Sequence, residues 1–413
     1  MRLLYSLFIH FFAYFLFLAS FFSKKAKLWC KGRKNIFLFL KNQCEGKSNI
    51  YWFHCASLGE FEQGKPLIEK IKQQKSEVTI LVTFFSPSGY EIRKNDPIAD
   101  IISYLPIDTK KNAKKFITIV KPKQVFFVKY EYWYNYMNEL YKAGIPFYYV
   151  SAIFRKEQYF FKNYGKWFLK QLKKCHCFFV QNNHSATLLK RHGILQVVVT
   201  GDTRFDRVLA ISKQHRSLDF VVSFKNTKKL LVAGSTWQPD ELLLAKLFAK
   251  LSPNYKLIIA PHEVEKSNIT RIKQIFSSFS ILCYSEIDAQ DISTYDVLVI
   301  DTIGLLSSLY KYADISYIGG AFKTGLHNIL EAAVYEKPIF FGTHFQKFNE
   351  AVELVALGAA FSVNNAKEME GKIEQFENNS LFYLNCCEIC KSYVAQNLGA
   401  TDKIVSVILP KDN

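Results

Sequence analysis

Glu60 is the residue of this chain best placed for acid–base chemistry. It lies in Ser57-Leu58-Gly59-Glu60, directly after the apolar and aromatic run Ile50–His54, and an amphipathic segment continues to Lys75. This pattern predicts a buried strand that leads into a helix, with Glu60 in the first helical turn. Because open α/β sheets bind ligands at the carboxyl ends of their strands, a carboxylate at this turn is a candidate general base.

A second carboxylate, Glu131, follows another predicted strand, Val125–Lys129. If the two strand ends meet in one cleft, the neighbouring carboxylates raise one pKa, which suits a base with a supporting acid. Each acid alone fits a surface residue or a helix-start acid favoured by the helix dipole equally well.

Glycines, hydroxyl groups and histidines end three predicted strands in the carboxyl-terminal half. Tyr317–Phe322 carries paired glycines that let backbone amides approach a ligand, and Gly325–Ala333 predicts a helix whose N-terminus favours a phosphate. In that segment we expect an N-cap at Asn328, and Glu331 could accept hydrogen bonds from ribose hydroxyls. A capped helix with an exposed acid fits the spacing equally well. The other two strand ends are Ala233-Gly234-Ser235-Thr236-Trp237 and Ala260-Pro261-His262-Glu263.

The elements that must position these groups alternate between short apolar strands and longer helical patterns, which predicts right-handed βαβ units. In the first half the predicted strands are Ile50–His54, Val78–Phe84, Val125–Lys129, Phe147–Ser151, Cys177–Val180 and Val197–Thr200. In the second half they are Leu230–Ala233, Leu257–Ala260, Ile281–Tyr284, Val297–Ile300, Ile315–Ile318, Pro338–Phe341 and Ala360–Val363. We therefore expect an α/β protein with two doubly wound, Rossmann-like domains that face a cleft. The predicted divisions are 1–34 for an amino-terminal anchor with its basic flank, 35–208 for the first domain, 209–228 for a polar linker and 229–413 for the second domain.

The amino terminus predicts contact with a membrane. Leu3–Ser23 has no formal charge and is just long enough to cross a hydrocarbon core as a helix. Six basic residues follow within Lys24–Lys34, and the positive-inside rule keeps this flank, with the rest of the protein, in the cytoplasm. A cleaved signal peptide fits poorly, because the run is too long and lacks a cleavage site. A helix that lies in the membrane interface remains an alternative.

The formal net charge of +18 favours an acidic partner, although dispersed surface charge explains it too. No nucleic-acid-binding motif occurs. The segment Gly201–Asp206 follows a predicted strand. We interpret Arg204 in this segment as a candidate phosphate contact and Asp202 as a helix cap. The nine cysteines are odd in number and scattered, which indicates reduced thiols and no metal site.

Taken in order, these motifs resemble those of the 3-deoxy-D-manno-octulosonic acid (Kdo) transferases of lipopolysaccharide biosynthesis. The matching segments are the amino-terminal apolar segment, Ser57–Glu60, Glu131-x-Trp133-x-Asn135, Gly201–Asp206, Ala233–Thr236, Asp301-Thr302-x-Gly304, Gly319-Gly320, His327-Asn328-x-x-Glu331-x-Ala333, and Phe348 with Glu350. The resemblance covers nearly the whole chain.

This resemblance implies a metal-independent, inverting GT-B glycosyltransferase at the cytoplasmic face of the inner membrane, without a cofactor. The donor would be CMP-Kdo and the acceptor the lipid A precursor, lipid IVA. Glu60 would be the general base and Glu131 a supporting acid, and Ser57 and Gly59 would contact the acceptor in the first domain. The donor would bind the second domain through Gly234, Ser235, Thr236, His262, Gly319, Gly320, His327, Asn328 and Glu331.

The chain departs from the family pattern at three positions. Pro-Arg-His is common where this chain has Ala260-Pro261-His262, Leu305 replaces a common Glu, and Lys347 replaces a common Asn. The lost arginine leaves open a membrane-associated GT-B enzyme that uses a UDP-sugar. A non-catalytic nucleotide- or lipid-binding protein of the same fold is the other alternative, and the two intact acids argue against it.

Overall fold

The computed structural model of the protein describes residues 2–214, 217–323 and 325–409. Within them the chain forms two compact units, residues 2–207 with 398–409, and residues 208–397. Each unit is built on a seven-stranded parallel sheet. The predicted pair of parallel α/β domains is therefore confirmed.

The first unit contains the elements from α1 to the first half of α10, and the last residues of α10 belong to the second unit. In chain order they are α1 (Arg2–Ala19), α2 (Lys24–Arg33), α3 (Ile36–Cys44), β1 (Ile50–Cys55), α4 (Leu58–Gln74), β2 (Thr79–Phe84), α5 (Pro87–Arg93), β3 (Ile101–Tyr104), α6 (Lys110–Val120), β4 (Gln124–Val128), α7 (Tyr134–Lys142), β5 (Phe147–Ala152), α8 (Lys166–Leu172), β6 (Cys177–Val180), α9 (Asn183–Arg191), β7 (Val197–Val199) and α10 (Thr203–Ser212).

The second unit follows, and the last helix returns to the first unit. These elements are α11 (Asp219–Lys225), β8 (Lys229–Thr236), α12 (Gln238–Leu251), β9 (Tyr255–Pro261), α13 (Lys266–Ile275), β10 (Ile281–Cys283), β11 (Val297–Val299), α14 (Leu306–Leu309), β12 (Ile315–Ile318), α15 (Leu330–Ala333), β13 (Ile339–Phe341), α16 (Asn349–Leu357), β14 (Ala360–Ser362), α17 (Ala366–Asn378), α18 (Ser380–Gln396) and α19 (Ala400–Ile408).

The strand order of the first sheet is β3-β2-β1-β4-β5-β6-β7, and that of the second is β10-β11-β9-β8-β12-β13-β14. In the first sheet the chain moves outward in opposite directions from β1 and β4, so these neighbours form the topological switch point. Alternate β1 side chains enter cores on opposite faces of the sheet, Trp52 on one side and Tyr51 and Phe53 on the other. In the second sheet the corresponding neighbours are β8 and β12.

The carboxyl-terminal segment belongs to the first unit, whereas the prediction assigned residues 229–413 to the second domain. Asp206 accepts hydrogen bonds from the backbone N–H groups of Gly399 and Thr401, both at 2.7 Å, and so fixes the start of α19. The predicted linker, 209–228, contains the end of α10 and all of α11. Residues 215 and 216 of that linker lie outside the described residues.

The predicted amino-terminal membrane helix is not confirmed. In the described parts of the chain, no helix has both the length and the apolar character that crossing a membrane requires. The apolar run is divided because α1 ends at Ala19 and a new helix, α2, begins after Ser23. Ser23 caps α2: its hydroxyl accepts a hydrogen bond from the backbone N–H of Ala26 at 3.4 Å. Many large apolar side chains of this region are exposed, among them Leu3, Leu4, Leu7, Phe8 and Phe22.

Candidate active site

The two predicted carboxylates follow the two strands of the switch point in the first unit. Glu60 lies in the first turn of α4, directly after β1, and Glu131 lies in the loop between β4 and α7. The two strands pair in parallel, with His54 opposite Phe127, so their carboxyl ends lie side by side. This is the edge of the sheet where doubly wound folds bind their ligands.

The turn that begins α4 holds the Glu60 side chain. Its Oε2 accepts a short hydrogen bond from the backbone N–H of Ala56, and the N–H of Ser57 contributes a second backbone interaction. The carboxylate therefore also satisfies N–H groups at the helix start, which is the role of a capping acid. The capping interpretation and the general-base interpretation thus apply to the same side chain.

The pKa of Glu60 is raised to about 8, first because the group is largely removed from water and second because the charge of Glu131 is close. The two backbone N–H groups and the Lys129 ammonium act in the opposite direction. A carboxyl group with this pKa can take up a proton near neutral pH and hold it. The sequence-based expectation that the two acids influence each other agrees with this arrangement.

Glu131 is fixed by two ring N–H donors on one oxygen. Its Oε2 lies 3.0 Å from His54 Nε2 and 2.8 Å from Trp133 Nε1. His54 is fully buried, and its Nδ1 lies 2.8 Å from the hydroxyl of Thr83 on β2. Since a carboxylate only accepts, the hydrogen bond to Glu131 requires a proton on His54 Nε2. His54 Nδ1 also lies 3.1 Å from the backbone oxygen of Thr83, so this ring is held at both nitrogens. The network aims the Glu131 carboxylate and holds it in place.

His54 and Thr83 belong to the candidate site through these contacts, and the sequence-based predictions did not include them. One signal was present, because His54 is the polar residue near the end of an otherwise apolar and fully buried strand. Buried polar side chains need partners, so an imidazole at a strand end indicates a hydrogen-bond network.

The predicted acceptor residues Ser57 and Gly59 lie on the same turn as Glu60. Ser57 is the N-cap residue of α4, but its side chain makes no capping hydrogen bond. A Cβ built on Gly59 would meet no atom within 4 Å, so the space in front of this turn is open. Their contact with an acceptor stays a prediction.

The predicted phosphate contact, Arg204, has an internal partner. Its Nε lies 2.9 Å from Asp202 Oδ2, while the Asp202 Oδ1 caps α10 through the backbone N–H of Arg204. Burial alone would raise the pKa of Asp202, but the Arg204 charge and these hydrogen bonds lower it. The structure therefore brings Arg204 to Asp202, and a role in phosphate binding stays a prediction.

In the second unit, the paired glycines lie where the end of β8 and the turn after β12 meet closely. A Cβ on Gly319 would stand 2.4 Å from the backbone oxygen of Ser235, and one on Gly320 would stand 2.4 Å from that of Gly325. Gly320 also has a positive φ of 93°, which favours glycine. The last residues of β8 and the turn after β12 thus approach each other through backbone atoms, at the carboxyl end of the second switch point.

Asp240 ties these two segments together. It is buried, and its Oδ2 accepts the backbone N–H groups of Trp237 at 2.9 Å and Gly320 at 3.0 Å, while its Oδ1 accepts the Tyr317 hydroxyl at 2.8 Å. The sequence reasoning missed Asp240, although an acid three residues into a helix is a known signal for an N-terminal cap.

Three rings stack beside the glycine turns. The His262 ring lies 4.9 Å from the Trp237 ring and 4.3 Å from the His327 ring, and Trp237 Nε1 donates to His327 Nε2 at 3.3 Å. Burial first, and the neighbouring His262 second, lower the pKa of His327 to about 4, so this imidazole is neutral near pH 7. The predicted donor residues His262 and His327 are therefore in direct contact. Such a stack of flat rings presents an aromatic surface of the kind that nucleobases bind.

The predicted helix around Asn328 is much shorter than expected. The helical residues are Leu330–Ala333, so Asn328 lies two residues before the helix and its Oδ1 accepts the N–H of Leu330 at 3.3 Å. The Asn328 amide also donates to Glu331 at 3.1 Å. A four-residue helix has too few aligned peptides for a strong dipole, so phosphate binding at this helix N-terminus stays a prediction.

The predicted turn at Gly234, Ser235 and Thr236 is wrong, because these are the last residues of β8, where its pairing with β9 becomes irregular. Ser235 has a positive φ of 54°, unusual for a residue with a side chain. Thr236 is buried, and its hydroxyl donates to Glu241 at 3.4 Å, a contact that turns it inward. No group of three or more His, Cys, Asp or Glu side chains suited to a metal occurs among the described residues.

Comparisons with known proteins point to one family. The family model described as 3-deoxy-D-manno-octulosonic-acid transferase (kdotransferase) matches residues 31–207. A 3-deoxy-D-manno-octulosonic acid transferase from Aquifex aeolicus is 27% identical over 81% of this chain and 87% of its own length, and one from Haemophilus influenzae is 26% identical over 89% and 88%. A bifunctional glycosyltransferase/methyltransferase from Fusobacterium nucleatum is 27% identical over 84% of this chain, which spans only 55% of that protein.

Solved structures share the fold at low identity. A UDP-GlcNAc 2-epimerase from Neisseria meningitidis, bound to UDP-GlcNAc, aligns with a TM-score of 0.63 at 16% identity over 87% of this chain and 99% of its own. A glycosyltransferase from Rickettsia africae aligns with a TM-score of 0.58 at 13% identity over 88% and 100%. The family model and the curated relatives confirm the resemblance drawn from the motifs: this chain is similar to the 3-deoxy-D-manno-octulosonic acid transferases, the family model over the first unit and the relatives over most of the chain.

Proposed function

We propose that the protein transfers Kdo from CMP-Kdo to the lipid A precursor of lipopolysaccharide, with Glu60 as the general base. The observation that carries this proposal is the pKa of Glu60, raised to about 8 at the carboxyl end of the switch-point strand β1. A base must accept a proton at the working pH, and an ordinary solvated carboxylate is too weak for that. The relatives named as 3-deoxy-D-manno-octulosonic acid transferases support the choice of the transferred sugar.

The reaction can be written with these groups. Glu60 takes the proton of an acceptor sugar hydroxyl while the hydroxyl oxygen attacks the anomeric carbon of Kdo. The bond from that carbon to the CMP phosphate oxygen breaks, and CMP leaves with the electron pair, which inverts the configuration. Glu131, held by His54 and Trp133, keeps the neighbouring charge fixed and so maintains the basicity of Glu60.

The donor proposal assigns CMP to the glycine turns of the second unit. The backbone of Gly319 and Gly320 would approach the phosphate, because side chains are excluded there. The ring stack of Trp237, His262 and His327 would receive the cytosine, with the imidazoles neutral. These groups bind without a metal, in the GT-B manner.

The amino-terminal helices would meet the lipid acceptor at the cytoplasmic face of the inner membrane. Exposed Leu3, Leu7 and Phe8 on α1 offer apolar area, and exposed Lys24, Lys25, Lys27, Lys31 and Lys34 stand beside it. An apolar helix next to a cluster of lysines is typical of proteins that lie in the interface of an anionic leaflet. Arg33 takes no part, because it donates to the backbone oxygens of Trp29, Phe85 and Leu105.

Incubation of the purified full-length protein with CMP-Kdo and lipid IVA tests the proposal, with the product mass as the readout. We expect a mass gain of one or more Kdo units. Glu60→Gln is expected to abolish transfer, while Glu69→Gln, on the same helix away from the sheet edge, retains it. Transfer from UDP-sugars instead of CMP-Kdo, or no transfer at all, would contradict the donor assignment. Wild-type turnover by Glu60→Gln would contradict the assignment of the base.

A further inference from the structure

The amino-terminal helix α1 has an inward face as well as an exposed one. Tyr5, Ile9 and Phe12 are buried or half-buried, whereas Leu3, Leu7 and Phe8 are exposed. The spacing of four and then three residues places the inward side chains on one side of the helix. This side contacts two structures that continue to the Glu131 loop.

The first contact runs through a buried carboxylate. The Tyr5 hydroxyl donates to Asp108 Oδ2 at 2.5 Å, and Asp108 is 1% exposed. Asp108 in turn accepts the backbone N–H groups of Asn135 and Tyr136, both at 3.0 Å. These are orphan N–H groups of the first turn of α7, whose own N-cap residue supplies no side-chain cap. Tyr5 therefore supports the carboxylate that fixes the end of the Glu131 loop.

The second contact is a series of rings. Phe12 stacks on Phe85 with centroids 6.2 Å apart, and Phe85 packs on Trp133 at 4.9 Å. Trp133 donates its Nε1–H to Glu131 Oε2 at 2.8 Å. Only two side chains stand between α1 and the supporting carboxylate, so the position of Phe12 bears on that of Glu131.

We propose that α1 is a positioning element of the catalytic site: Tyr5 and Phe12 hold the loop that carries Glu131, in addition to any contact of the outer face with lipid. This proposal rests on the proposed function, in which Glu131 supports the base. It gives the helix two separable faces, one that addresses the surroundings and one that orders the carboxylate pair.

The test compares a half-buried phenylalanine of α1 with an exposed one, Phe12→Ala with Phe15→Ala, in the full-length protein. Phe15 is 60% exposed. Transfer of Kdo is measured with the acceptor in detergent micelles, so that vesicle binding does not enter the rate. We expect Phe12→Ala to lower kcat about tenfold with little change in the KM for the donor, Phe12→Leu to recover most of the loss, and Phe15→Ala to keep kcat within about twofold.

A pH profile separates positioning from general damage. Glu60 faces Glu131, Lys129 and the amides of Ala56 and Ser57. If Phe12→Ala lets Glu131 move away, less negative charge acts on Glu60, and the acidic limb of kcat moves to lower pH. Tyr5→Phe, which removes one hydroxyl and keeps the ring, is expected to do the same more weakly. It carries the test if Phe12→Ala does not fold.

Several results would overturn the proposal. The first is the same kcat and the same acidic pH limb in the wild type and Phe12→Ala. The second is an equal loss of kcat in Phe12→Ala and Phe15→Ala. The third, if Phe12→Ala does not fold, is wild-type behaviour of Tyr5→Phe. Absence of transfer by the wild-type protein would instead count against the proposed function, so the two failures are distinguishable.

Discussion

Replacing Glu131 by Gln should move the pH dependence of transfer downward. The glutamine keeps the size of the side chain, and its oxygen can still accept from His54 and Trp133, so the loop geometry is preserved while the charge is removed. In the wild type the pKa of Glu60 is raised from 4.5 to about 8 by two causes, burial and the Glu131 charge, of which burial is the larger. Loss of the smaller cause should lower the pKa of Glu60 by roughly 1 to 2 pH units.

The consequence is large near neutral pH. At pH 6.5, about 3% of a carboxyl group with a pKa of 8 is ionised, against about half of one with a pKa of 6.5. We therefore expect the acidic limb of kcat to shift from near pH 8 to between about pH 6 and pH 7 in Glu131→Gln. The plateau at high pH should be lower, because a carboxylate with a lower pKa is a weaker base.

The assay is the initial rate of CMP release at saturating donor and acceptor, measured from pH 5.5 to 9.5. Unfolding is followed at each pH to exclude loss of folded protein. Glu69→Gln serves as the matched control and should leave the limb unchanged. A limb that stays in place in Glu131→Gln, or moves upward, would refute the coupling of the two carboxylates.

Three further outcomes are expected. The folded-state pKa of Glu60 lies above its unfolded value, so its contribution to stability is present below about pH 4.5 and is lost as the pH rises through 8. In denaturant unfolding, Glu60→Gln should therefore match the wild type at pH 4 and exceed it by roughly 4 to 5 kcal/mol at pH 9. His54→Ala should lower kcat about 10- to 100-fold. His54→Gln should lower kcat less, because glutamine can still donate to Glu131. The control, His176→Gln at an exposed position, should leave the steady-state rates unchanged. Gly320→Ala should lower the free energy of unfolding by about 2 to 4 kcal/mol, because the new Cβ would clash and the φ of Gly320 is positive. It should also weaken CMP binding, measured by calorimetry. The control Gly371→Ala, at a position with open space around it, should have neither effect.

The strands were predictable because parallel strands covered on both faces are continuous apolar runs. The strand Ile101–Tyr104 was missed because it has only four residues and forms the edge of its sheet, directly before Leu105 and Pro106. The predicted strand Val78–Phe84 differs from the observed Thr79–Phe84 by one residue. The order of the strands depends on packing between distant segments, which no local pattern contains.

The candidate site was partly predictable for the same reason. Glu60 and Glu131 could be found because each directly follows a strand, and strand ends share an edge. Their supporting residues could not, because the partners are far apart in sequence: His54 and Glu131 are separated by 77 residues and Tyr5 and Asp108 by 103. A local reading identifies a polar residue in an apolar segment but not the group that satisfies it.

The return of α19 to the first unit constrains the order in which the protein can be completed during synthesis. Ile404, Val405 and Ile408 belong to the same buried cluster as Phe61, Leu67 and Ile71 of α4. The part of the α4 surface that packs on α19 therefore stays uncovered while the ribosome makes the roughly 325 residues between Gln74 and Ala400. In a nascent chain of this protein, that surface is open to non-native contacts for longer than in a chain whose domains are finished one after the other.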